Sequence, residues 1–418
     1  MGITNHVPKK AVKIPPGWLV DISGFQNIIA TPQFQRLNWV SQLGILNEIY
    51  PGGSHKRKEH AFGTLHLTKC ICDQLEFDKE ESKTFKAFGL LHDIGHSPFS
   101  HQLEPLLKKD HHEVGLDVLT SIKEAVVQDG VDFEKLKEIF EKKHPLVSDK
   151  NLGSDKLDYL LRDGYHMGFD LVTNVFTLIS YMGLNHDTIA IEEKGAPQVK
   201  KLQDYYAEIH SDGYLCKQGM INQRLLQRAF EEALIDFDVE LYTLWGMRDF
   251  EVLAFLQESK SPLAKELFED LINRRSYKTS VVFKIDKFKH SERIIDKPIY
   301  VEGVTQSKLE QFTKEYFIPQ KLTKLENELA ELIGVEKGSL LIPLMPLQRI
   351  LPKDVRVYST VSDEPNTLFT LYPEHEKQLT ERYLSSFAIR IAAKPGLRQK
   401  VYDHRKEVVG YILGSVLR

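Results

Sequence analysis

The stretch GLLHDIGHSPFSH, residues 89–101, decides how this chain is read. An apolar helical run, with Phe85, Phe88, Leu90 and Leu91 at helical spacing, leads directly into the adjacent pair His92-Asp93. Gly95 then breaks the helix, so the pair is expected at its C-terminal end, beside a loop carrying His96 and His101. An adjacent His-Asp pair means nothing by itself. The chain holds a second one, His186-Asp187, read here as a loop pair without a metal. Context separates the two: eight of the 16 histidines fall between His55 and His112. Histidine is both a common metal ligand and the common acid or base near neutral pH.

Working outward, four residues stand out as one ligand set: His60 in KRKEH, His92, Asp93, and Asp155 in GSDKLDYLLRD. Two imidazoles with two carboxylates suit one divalent transition metal, Mn, Fe, Co, Ni or Zn. Such a set leaves coordination positions open, and water bound there can have its pKa lowered towards roughly 7. The segment from Asp155 reads as a helix. At about 100° per residue, Tyr159, Arg162, Asp163 and His166 share one stripe with Asp155, while Leu157, Leu160 and Leu161 face the other way. That polar stripe is read as a cleft wall.

Composition narrows the class. The 418 residues are 42% hydrophobic and 27% charged, with a formal net charge of −4. Enough apolar surface is present for a folded core, and no global basic field argues for nucleic acid. No run of about 18 apolar residues occurs, so no membrane helix is expected, and the N-terminus lacks the apolar core of a signal peptide. Three cysteines, Cys70, Cys72 and Cys216, cannot form a disulfide framework, which fits a cytoplasmic setting.

Along the chain, residues 1–30 read as an arm interrupted by Pro8, Pro15 and Pro16. Residues 31–275 read as a helical domain, with helices over 61–75, 82–92, 112–127, 133–143, 154–166 and 214–245. Residues 276–418 read as a smaller α+β lobe, with strands over 277–285, 339–344, 355–360, 367–371 and 387–392 and helices over 322–332 and 397–413. The fold class is mainly α.

TPQFQRL (31–37), QLG (42–44), YPGGSHKRKEH (50–60), GLLHDIGHSPFSH (89–101), HHEVG (111–115) and SDKLDYLLRDGYHMG (154–168) together resemble the HD-domain metal-dependent phosphohydrolases. Within them they are similar to the SAM-and-HD-domain type of deoxynucleoside triphosphate (dNTP) triphosphohydrolase and its bacterial relatives. No SAM domain is expected before Thr31. The resemblance implies an HD-domain helical core that releases a deoxynucleoside and tripolyphosphate from a dNTP, with magnesium accompanying the triphosphate. It implies phosphate contacts at Arg57, Lys156 and Tyr159, a sugar-proximal pair Gln42 and Leu43, and Asp163 as partner of the 3′-hydroxyl. It places His96, His101 and His112 near the phosphates, with Glu104 steadying His101. His55, His66 and His111 are read as ordinary packing or surface histidines. It also implies a homo-oligomer and no membrane partner.

Members activated by guanine nucleotides carry an Asp just before TPQFQRL and an Arg just after it. Here those positions are Ala30 and Asn38, so a guanine-reading regulatory site is not expected. Two other readings stay open: an HD phosphohydrolase or phosphodiesterase acting on another nucleotide, and a regulatory protein that senses nucleotide.

Overall fold

The computed structural model describes residues 10–170, 173–185, 188–235, 241–292, 298–359 and 366–416. The His186-Asp187 pair and residues 1–9 of the expected arm lie outside the described residues.

The described part of the arm is ordered. Ala11–Ile14 (β1) and Trp18–Asp21 (β2) pair antiparallel, with Ile14 opposite Trp18. Pro15 and Pro16 occupy the turn between them, and Gly17 completes it at a φ of 125° that only glycine adopts without strain. The prolines interrupt the ladder only where a turn is needed.

Four helices carry the motifs: α1 (Arg57–Gln74), α2 (Lys79–Leu91), α3 (His111–Ser121) and α4 (Ser154–Met167). Their ends follow local chemistry. Asp78 caps α2, accepting from the amides of Glu80 and Glu81. Asp110 and Glu113 form a reciprocal capping box at the start of α3. Gly168, at φ 82°, closes α4 in the left-handed conformation. α1 packs against both α2 and α4, and it buries polar residues (His60, Thr64 and Thr68) as well as apolar ones. Gly63 permits the contact with α4, since a Cβ there would collide with the side chains of Asp158 and Arg162. The helix expected over 112–127 is broken at Ile122 into 111–121 and 123–128. That expected over 397–413 is broken at His404.

The packing divides the chain into two discontinuous units. One comprises residues up to 209 with 244–249 and 353–375; the other comprises 210–243, 250–352 and 376 onward. The position near 275 expected as a boundary falls inside the second unit. The first unit holds the four motif helices and a small sheet. That sheet runs in the order β3 (Met182–Asn185), β4 (Thr188–Glu192), β8 (Arg356–Tyr358), β9 (Asn366–Thr367), with β4 and β8 parallel. The hairpin over 182–192 was not expected from sequence. Conversely, Leu368–Leu371, expected as strand, is a helical turn, because Thr367 caps it by accepting from the Thr370 amide.

The second unit contains a sheet in the order β6 (Tyr300–Val304), β5 (Lys278–Ile285), β10 (Ile389–Ala393), β7 (Leu340–Leu341). It also contains α5 (Lys217–Leu234) and α6 (Pro319–Leu332). Arg224 and Arg228 of α5 are buried and share the buried carboxylate of Glu326 on α6, at 2.9–3.1 Å. Glu326 also accepts from the Ile342 amide at 2.8 Å. Among the described residues, no helix is long and apolar enough to cross a membrane.

Candidate metal centre and active site

α1 supplies His60, the end of α2 supplies His92 and Asp93, and the first turn of α4 supplies Asp155. His60 Nε2 lies 3.2 Å from His92 Nε2, 3.2 Å from Asp155 Oδ1 and 3.3 Å from Asp93 Oδ2. His92 Nε2 lies 3.4 Å from Asp93 Oδ1 and 3.5 Å from Asp155 Oδ1. The four residues expected from sequence as ligands therefore converge.

The far edge of each imidazole is already engaged. His60 Nδ1 meets Asp158 Oδ2 at 2.7 Å, and His92 Nδ1 meets the Gly89 carbonyl at 2.8 Å. Both Nδ1 atoms thus donate, and both Nε2 atoms face the two carboxylates. That is the tautomer a metal-binding histidine takes when its outer nitrogen is held by a carboxylate or carbonyl. Burial disfavours charge on His92, yet Asp93 and Asp155 outweigh it and push its pKa up to about 9. His60 is driven upward by Asp155, Asp158 and Asp93 against the same burial. Burial likewise resists ionisation of Asp93, but Arg57 and His92 hold its carboxyl well below the usual range. Two ionised carboxylates and two imidazoles in a closed space draw in positive charge, so the donor set fits a divalent cation.

Arg57 is buried, donates from one terminal guanidinium nitrogen to Asp93 Oδ2, and donates from Nε to Ser100 Oγ at 2.8 Å. Ser100 Oγ in turn donates to the Ser41 carbonyl at 2.6 Å. The loop over 97–100 is bent sharply: Phe99 and Ser100 both have positive φ, 55° and 56°, an uncommon pair for residues with side chains. Asp249 holds this bend, accepting from the Phe99 amide at 2.8 Å and the Ser41 amide at 2.7 Å. Arg36 adds a donor to the His96 carbonyl at 2.7 Å.

A second cluster adjoins the first. His96 Nε2 approaches Asp93 Oδ1 at 3.2 Å without hydrogen-bond geometry, and neither of its ring nitrogens has a hydrogen-bond partner. Burial, Arg57 and His111 push the His96 pKa well below the usual imidazole value. Glu104 accepts from His101 Nδ1 at 2.7 Å on one oxygen. On the other it accepts from His111 Nδ1 at 2.5 Å and the His111 amide at 2.7 Å. His96 stacks on His111, with centroids 4.0 Å apart. One potential ligand atom from each of His96, His101, Glu104 and His111 lies within 4.8 Å of the others. Because the carboxylate already accepts from both outer imidazoles, the cluster is suited to holding and passing a proton.

His111 was missed in the sequence, and His112 stands elsewhere. The His112 ring stacks on Phe140 at 4.7 Å, and burial lowers its pKa to about 4. On α4, Lys156 is buried with Nζ 3.1 Å from the Tyr206 ring centroid and 2.5 Å from Tyr159 Oη. Burial pushes its pKa well below the usual lysine range. Asp163 faces His55, at 2.9 Å. Gln42 and Leu43 are buried, and the Gln42 amide donates to the His55 carbonyl at 3.1 Å. The stripe read as a cleft wall is in part internal wiring. Arg162 is fully buried, gripping Asp158 at 2.8 and 2.9 Å and Glu59 at 2.8 Å; His166 also meets Glu59 at 2.8 Å. Asp158, which bridges His60 and Arg162, was not singled out by the sequence.

An HD domain matches residues 57–159 and an HD-associated region matches residues 210–302. The chain therefore carries an HD domain and an HD-associated region. Its similar proteins include an uncharacterised protein of Methanocaldococcus jannaschii, 24% identical over 88% of this chain and 82% of that one. They also include the deoxynucleoside triphosphate triphosphohydrolase SAMHD1 homolog of Dictyostelium discoideum, 27% identical over 63% of this chain and 59% of that one. SAMHD1 of Gallus gallus is 27% identical over 60% of this chain and 52% of its own length. The chain thus spans somewhat over half of the SAMHD1 proteins. Two solved structures share the fold: a phosphohydrolase from Bacteroides thetaiotaomicron (TM-score 0.67, 19% identity, 92% of this chain and all of that one) and a hypothetical protein from Aquifex aeolicus (TM-score 0.68, 22% identity, 94% and 99%).

Proposed function

We propose that this protein is a metal-dependent triphosphohydrolase that converts a dNTP to a deoxynucleoside and tripolyphosphate. The observation that carries the reading is the convergence of His60, His92, Asp93 and Asp155 beside the His101–Glu104 pair, with His96 between them. The choice of a dNTP draws on the names of the SAMHD1 relatives and on Gln42, Leu43 and Asp163, to which the resemblance assigns sugar contacts.

In this reading His60, His92, Asp93 and Asp155 hold one ion of Mn, Fe, Co, Ni or Zn, with magnesium on the triphosphate. A divalent ion there supplies Lewis-acid polarisation and charge neutralisation. The rest falls to the chain's own side chains. A water oxygen bonds to the α-phosphorus and the bond from that phosphorus to the sugar 5′ oxygen breaks. The departing oxygen needs a proton, which His101 supplies while Glu104 fixes its Nδ1 side. Arg57, Lys156 and Tyr159 meet the phosphates. Lys156, with Nζ between Tyr159 and Tyr206, is the ammonium nearest Asp155 in chain order. The protein is further proposed to assemble as a homo-oligomer.

The test is direct. Pure protein is incubated with each dNTP and each rNTP in Mn, Mg or Co, and the products are separated chromatographically. Deoxyguanosine and one three-phosphate chain are expected from dGTP. Release of orthophosphate and dGDP instead would assign the site to a different phosphohydrolase reaction.

A further inference from the structure

His55 lies in the turn ahead of α1 with its side chain wholly buried, and its Nε2 meets Asp163 Oδ1 at 2.9 Å. The ring stacks on His166 with centroids 4.2 Å apart and planes 9° apart, and His166 is itself tied to Glu59 at 2.8 Å. Glu59 is held by Arg162, whose fork also grips Asp158, the residue behind metal-ligand candidate His60. Asp163 is therefore linked, through His55, half-buried His166 and Glu59, and buried Arg162 and Asp158, to the candidate metal ligand His60. Two further polar atoms, His55 Nδ1 and Gln42 Oε1, are buried without a protein partner, and the backbones of the two residues meet, the Gln42 amide donating to the His55 carbonyl. Buried polar atoms in native proteins are nearly always paired. A corner with an aimed carboxylate and two unpartnered polar atoms suits a ligand that brings hydroxyl groups.

We infer that His55 is a specificity-determining positioning residue: by aiming Asp163, it makes turnover depend on a hydroxyl at the 3′ carbon of the sugar. The inference rests on the dNTP reading above. A site built to bond a hydroxyl discriminates against the analogue that lacks it, because the buried polar group is then left unpaired. One charge-assisted hydrogen bond corresponds to roughly ten- to a hundredfold in rate or affinity.

The experiment compares kcat/KM for a dNTP and for the matching 2′,3′-dideoxynucleotide, using the full-length manganese-loaded protein. Wild type should prefer the dNTP by about ten- to a hundredfold. His55→Phe keeps a ring to stack on His166 but has no donor for Asp163. Its preference should fall towards one, through loss on the dNTP alone. His55→Gln places an amide nitrogen near the original Nε2 and should restore part of the preference. Metal content and thermal melting establish that each variant is folded. If His55→Phe does not fold, His55→Asn, whose shorter amide cannot reach the Nε2 position, takes its place. Equal loss on both nucleotides, or an unchanged ratio, would overturn the inference while leaving the dNTP reading intact. A wild-type protein that hydrolyses no dNTP would overturn both.

Discussion

Asp158 holds the outer nitrogen of His60 while Arg162 holds Asp158. Outer partners of metal-binding histidines typically contribute 10–100-fold in metal affinity. Asp158→Asn is therefore expected to weaken manganese binding by about that factor, measured by calorimetric titration, while the fold is retained. His111 is expected to matter and His112 to matter less. His111→Ala removes one of the donors on Glu104 and should lower turnover by roughly tenfold or more with metal content unchanged; stopped assays with parallel elemental analysis check this. The four ligand candidates were legible because each sits in a compact motif. The choice between His111 and His112 was not. Adjacent residues on a helix point about 100° apart, and the path of the loop before α3 decides which one turns inward. Asp158 stayed hidden for a related reason: at about 100° per residue it falls about 60° from Asp155, outside the stripe read as a cleft wall.

At the scale of elements, the second unit depends on the ion cluster between α5 and α6. Removing one member of a buried ionic group costs about 3–5 kcal/mol, because the remaining charges lose their partner. Glu326→Ala leaves Arg224, Arg228 and the Ile342 amide without their shared acceptor. It should lower the melting temperature by many degrees, in contrast to loss of an exposed pair such as Lys142–Glu138. Element type was readable where periodicity was long, as in α1, α2 and α4. It was not readable where a side chain decides. Thr367 turns an apolar, β-branched segment into a helical turn by capping it, and the hairpin over 182–192 has strands of only 4 and 5 residues.

For the whole molecule, stability should depend on pH through His112. Its pKa is lowered to about 4 by burial in the folded state, against an ordinary value of about 6.5. The unfolded chain therefore takes up this proton first as the pH falls. The contribution of His112 is complete above about 6.5 and is lost progressively towards about 4. The melting temperature of wild type should fall relative to that of His112→Phe as the pH is lowered through that window. Regulation is tested at the same scale. With Ala30 and Asn38 where activated relatives of the resembling type carry charges, activity is expected without a GTP requirement. Light scattering run beside the dNTP assay, with and without GTP, checks this; strict coupling of assembly and activity to GTP would show that other residues rebuild a guanine pocket.

The reach of Asp249 back to the bend at Phe99 bears on how this gene can be cut. A fragment ending at residue 209 would contain every proposed metal ligand and proton-handling residue, and it would look complete on a linear map. It would lack the acceptor that holds two consecutive left-handed residues beside Ser41. It would also lack the carbonyls of Trp245, Gly246 and Met247 that receive Arg36. Chimaeras between relatives should therefore exchange residues 244–249 together with the N-terminal segment, because in this architecture the heritable module is not a contiguous stretch of coding sequence.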